Sequence, residues 1–140
     1  MESTLTSRVP NDLQAVPIAR ERFVRWWGDQ GVGGEELCAW QLIFDELVNN
    51  SIEHGCKTPE DEVSVESRVS EEKVELCVVD PAEGALTEAS FPTEPNGAFH
   101  DLGRGAGLVL IRAFTDEIHV GPAENGGTLI RAVKYRGKDT

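Results

Sequence analysis

The chain has 140 residues, with 25 Asp and Glu against 13 Lys and Arg and a formal net charge of −12. That length suits a single domain over 1–140, and 39% apolar with 27% charged residues is the composition of a chain that buries a core rather than one that stays disordered. Nucleic acid and anionic membranes are excluded as principal ligands, because both are gripped by clustered Lys and Arg.

Met1 to Arg8 is polar without the apolar stretch of a signal peptide, and no apolar run approaches the ~20 residues that cross a bilayer. The expectation is a soluble, cytoplasmic protein. Cys38, Cys56 and Cys77, odd in number and widely spaced, fit reduced thiols better than a disulfide framework or a CxxC metal site. From Pro10 to about Gln30, Leu13, Val16, Ala19, Phe23, Val24 and Trp27 recur every three or four residues, which predicts a helix capped by Asn11 or Asp12. Gly28, Gly31, Gly33 and Gly34 break it. A second helix follows from near Glu35, its stripe of Leu37, Trp40, Phe44, Leu47, Val48 and Ile52 ending at Gly55.

Beyond Pro59 the period becomes two. Val63, Val65 and Val69, then Val74, Leu76 and Val78, predict an antiparallel hairpin turning at Ser70-Glu71-Glu72 and ending at Asp80-Pro81. Residues 81 to about 103 show little periodicity and read as a long surface loop. A short helix built on Leu108, Ile111 and Phe114 comes next, then strands around Ile118–Val120 and Thr128–Tyr135. This order predicts an α+β fold of two layers, a mixed, mostly antiparallel sheet covered on one face by helices.

Glu46, Asn50 and His54 stand four residues apart on the second helix, so they share one side of it. A carboxylate and a carboxamide so placed suit a general base beside a ligand of hydrated Mg²⁺. The same residues also describe a solvated helix face, with His54 favoured near the C-terminal end by the helix dipole. Asp80, at a strand end, is able to accept a hydrogen bond from the exocyclic amine of adenine, and an Asp before proline also simply opens a turn. Gly103, Gly105 and Gly107 precede a helix, where glycine N–H groups and a helix N-terminus receive phosphate. They form neither a Walker A loop nor a Rossmann fingerprint. Asn125-Gly126-Gly127-Thr128 reads as a hairpin turn.

Taken in order, these pieces resemble a known family. Phe44 to Gly55 is similar to the N-box of the GHKL ATPase and kinase superfamily, whose nucleotide pocket is the Bergerat fold. Asp80 to Gly84 resembles its first glycine box, Gly103-Arg104-Gly105-Ala106-Gly107-Leu108 its second, and Gly126-Gly127-Thr128 its last. Size and the run from Gly103 to Arg112 resemble the bacterial anti-sigma factor serine/threonine kinases in particular. The resemblance implies that Asn50 holds Mg²⁺ on the triphosphate of ATP, that Glu46 is the general base, and that Asp80 binds the adenine amine with Thr128 behind it. It implies phosphate contacts from Gly103, Gly105 and Gly107 under a lid from Ala82 to Leu102, with Gly84 closing the first box and Arg104 supplying a cation to the phosphates or to a bound partner. The partners it implies are a STAS-domain antagonist and a sigma factor, and relatives commonly form homodimers, to which Trp26-Trp27 on the first helix would contribute.

Two positions depart from the family pattern. Ala82 replaces the middle glycine of the first box, and positive φ there would cost on the order of 1–2 kcal/mol. Glu53 stands where many relatives place a lysine that reaches the phosphates. The alternatives these leave open are a Bergerat-fold interaction module with weak or no catalysis, and the catalytic domain of a histidine-kinase-like system.

Overall fold

A computed structural model describes residues 1–82 and 105–137, with the backbone alone at 105–107. Strand β1 spans Ser3–Pro10, helix α1 Val16–Asp29, helix α2 Gly34–Gly55, β2 Glu62–Val69, β3 Lys73–Asp80, α3 Gly105–Phe114, β4 Glu117–Pro122 and β5 Thr128–Tyr135. The expected elements are present, and β1 is an addition. Its inward positions are Ser3, Leu5, Ser7 and Val9, of which only Val9 is fully buried. Two apolar residues in eight give little alternation to read, as befits an edge strand paired on one side only.

Asp12 accepts from the Gln14 amide to cap a 3₁₀ turn, Leu13–Ala15, that leads into α1. Phe23 and Trp27 of α1 and Trp40 and Phe44 of α2 are wholly buried, with ring centroids 5.2 Å apart for Phe23–Phe44 and 5.9 Å for Trp27–Trp40. Each side chain so buried contributes roughly 1.5–3 kcal/mol, and this cluster locks the two helices together. Trp27 therefore belongs to the core, which corrects the expectation that it helps form a surface between copies. Trp26 remains partly exposed.

The sheet order is β1-β2-β3-β5-β4, and all four pairings are antiparallel. No parallel pair occurs among the described residues, so the mixed sheet expected from the sequence is here antiparallel throughout. Val63, Val65 and Val69 of β2, Val74, Leu76 and Val78 of β3, and Ile130 and Ala132 of β5 are buried beneath the helices. Ser67 shares this buried phase, and it is fully satisfied: it accepts from Trp27 Nε1 at 2.9 Å and donates to the Glu75 carbonyl at 2.6 Å. No helix among the described residues is long and apolar enough to cross a membrane.

Candidate functional site

Strand alternation carries the inward phase of β3 through Val74, Leu76 and Val78 to Asp80, so a carboxylate occupies a core position at the end of the sheet. Asp80 is 3% exposed. Burial raises its carboxyl above the usual range, opposed by the Ala82 amide, which donates to Oδ1 at 2.9 Å, and by the neighbouring Ser51 hydroxyl. Ser51 lies on α2, itself buried, beside Asp80 but without a hydrogen bond of standard geometry. Register pairs Asp80 directly with Thr128, whose hydroxyl donates to the Ala82 carbonyl at 2.6 Å. The structure thus brings together Asp80, Ala82 and Thr128 as the sequence leads one to expect. Ala82 keeps negative φ, so the cost of a left-handed alanine does not arise.

Two glycines pack against Asp80, Gly55 against its carboxylate and Gly127 against its backbone carbonyl. Gly55 closes α2, where it reads as a helix stop, yet it lacks the positive φ of a glycine cap. A Cβ on it would lie 2.6 Å from Asp80 Oδ1, so close approach of the carboxylate requires the glycine. Gly127 has φ +92°, and a Cβ there would overlap the Asp80 carbonyl oxygen. The detectable signal was the glycine type at both positions. What it serves depends on packing, of α2 against β3 for Gly55 and of β5 against β3 for Gly127.

On α2, Asn50 Nδ2 donates to Glu46 Oε2 at 3.0 Å, joining the two predicted residues across one helical turn. Both line a cavity of about 440 Å³ between α1 and α2, together with Asn49, Asp45, Arg20 and Glu53. Glu53 therefore does place an anion in the cavity of Glu46 and Asn50. Arg20 bonds Asp45 at 2.7 Å, a pairing of α1 with α2 that no local pattern encodes. Asp80 and Thr128 do not line this cavity; Asp80 meets α2 on a different side of the same helix, at Ser51 and Gly55. His54 lies exposed in the last turn of α2, the end where a cation is favoured.

Gly105 and Gly107 fall inside α3 rather than ahead of it, since the helix begins at Gly105. The first-turn N–H groups of a helix have no partners within it, so glycines there still present donors without a Cβ in the way. Gly84, Gly103, Arg104 and the lid from Glu83 to Leu102 lie outside the described residues. Among the described residues no three His, Cys, Asp or Glu side chains are grouped to hold a metal, and Cys38, Cys56 and Cys77 are unbridged.

With this geometry in hand, similarity to known proteins can be placed on it. The model of a histidine kinase-like ATPase domain matches residues 9–134. An anti-sigma F factor of Heyndrickxia coagulans is 31% identical over 143 aligned positions, covering 96% of this chain and 91% of that protein. The anti-sigma F factor of Bacillus cytotoxicus is 33% identical, with 72% of this chain and 70% of that one covered. A chain from the crystal structure of the SiaB-SiaC complex of Pseudomonas aeruginosa superposes with a TM-score of 0.68 at 14% identity, covering 92% of this chain and 88% of that one. Fold, motif order and sequence agree, and the chain belongs to the histidine kinase-like ATPase family, where it groups with the anti-sigma factors.

Proposed function

We propose that the chain is an ATP-dependent protein serine/threonine kinase of the anti-sigma type, which phosphorylates a STAS-domain antagonist and, when not engaged with it, sequesters a sigma factor. The observation that carries this reading is Asp80: a carboxylate held in a buried strand position, with two glycines and a threonine arranged around it. Placing a carboxylate there opposes folding, as its raised proton affinity records. An adenine amine donating to Asp80 supplies a polar partner beyond the Ala82 amide.

Phosphate transfer on this arrangement assigns one role to each residue. Glu46 takes the proton of the acceptor hydroxyl as its oxygen bonds to the γ-phosphorus of ATP, the bond from that phosphorus to the β–γ bridging oxygen breaks, and ADP leaves. Asn50 spends its amide N–H on Glu46, which orients the carboxylate and leaves the carbonyl Oδ1 as the atom suited to a hard cation. That chemistry fits Mg²⁺, which when bound neutralises charge on the phosphates. Gly103, Gly105, Gly107 and Arg104 are proposed to receive the phosphates, and Gly84 to complete the adenine side.

Partners follow from the relatives: anti-sigma F factors are similar to this chain over most of their length, and the structural neighbour comes from a two-protein complex. The test is incubation with Mg-ATP and a panel of purified STAS-domain proteins, read by mass spectrometry of the acceptor. One phosphate on a Ser or Thr is expected. ATP binding without transfer to any panel member would reject the kinase reading and leave a nucleotide-binding interaction module.

A further inference from the structure

Between α2 and α3 runs an apolar groove of about 410 Å³, walled by Leu42 and Ile43 on one side and Leu110 and Phe114 on the other, and closed at one end by Asp45 and Glu46. Its base is fixed before anything binds. Ile43 is buried, and Phe114 is held edge-on against Trp40 at 5.6 Å with Lys134 Nζ 5.1 Å from its ring centre. Its rim is open: Leu42 is 59% exposed and Leu110 55%. Two large aliphatic side chains left in water on facing helices, over a preformed apolar base, are features of a binding surface rather than of scattered exposure.

We infer that this groove docks the acceptor protein, taking a large aliphatic or aromatic side chain that lies close in sequence to the hydroxyl that is phosphorylated. The inference rests on the kinase reading, because its direction comes from Glu46. Glu46 ends this groove and also lines the cavity shared with Asn50, so a segment seated between Leu42 and Leu110 runs towards the proposed base. Charge argues against a second copy of the chain as occupant. Each copy carries −12, and the groove ends on Glu46 beside the Arg20-paired Asp45, so an uncharged or basic segment is the complementary one.

The experiment compares the parent with Leu42→Ser and Leu110→Ser, both rim changes that leave the core intact, using the STAS-domain protein that the parent phosphorylates most rapidly. The KM for that acceptor is expected to rise about ten-fold in each variant while kcat falls less than two-fold and the ATP dissociation constant stays within two-fold. An unchanged KM would overturn the groove as the dock and leave the kinase reading intact. A parent dimer that dissociates on Leu42→Ser would instead assign the groove to a second copy and overturn the inference. If the parent phosphorylates no STAS-domain protein, the kinase reading falls and the inference falls with it.

Discussion

Asp80 shares its phase on β3 with Val74, Leu76 and Val78, and of the four it alone is a carboxylate. Because burial raises its folded proton affinity, the folded state keeps the proton to higher pH than the unfolded chain does. Stability then falls as pH rises from the ordinary carboxylate value through the raised folded value, and the full penalty is present above the latter. Asp80→Asn, which keeps an acceptor for the Ala82 amide, is therefore expected to melt above the parent at pH 7, with the difference shrinking towards pH 4. A difference independent of pH would show that the charge is not the cause. At Gly127, alanine meets both a left-handed φ and the Asp80 carbonyl, and a loss of at least ~2 kcal/mol is expected from chemical denaturation. Residue type was readable at every one of these positions. The proposed role of Asp80 as an adenine acceptor rests on its strand-end position and on motif order, whereas the demand for glycine at Gly55 depends on a contact between α2 and β3 that no local pattern encodes.

At the scale of elements, the periodic ones were legible and the others were not. Helices α1 and α2 bury faces at three- and four-residue intervals, β2 alternates over eight residues and β3 does so apart from the buried Glu75, so their kind followed from spacing alone. Strand β1 escaped because its inward face is half serine, and the pairing that makes it a strand is with β2, more than fifty residues away. The bond from Trp27 on α1 to Ser67 on β2 ties these layers at a point that helix and strand patterns show only as a polar interruption. Trp27→Phe removes the donor while Ser67 still donates to the Glu75 carbonyl, so a loss of about 1 kcal/mol plus a packing term is expected from denaturation curves. A loss above ~4 kcal/mol would mean that the indole has a larger role than this bond and its contacts.

Across the whole molecule, the charge of −12 sets the terms of every encounter. An acidic chain meets a basic partner surface by steering, so association with a sigma factor is expected to slow several-fold as salt rises from roughly 50 to 500 mM, with dissociation much less affected. Stopped-flow binding measures both; faster dissociation with association unchanged would place the attraction in the contact and not in the approach. The same charge bears on the site, where Arg20 is committed to Asp45 and Glu53 adds an anion beside Glu46 and Asn50. On the proposed reading, phosphate binding then falls to backbone N–H groups and a cation brought with the nucleotide. Calorimetric titration of Mg-ATP into the parent, Asp80→Asn and Glu46→Ala proteins tests this account most directly. Binding by the parent and by Glu46→Ala, and none by Asp80→Asn, is the predicted result, whereas undiminished affinity in Asp80→Asn would contradict the assignment of the site.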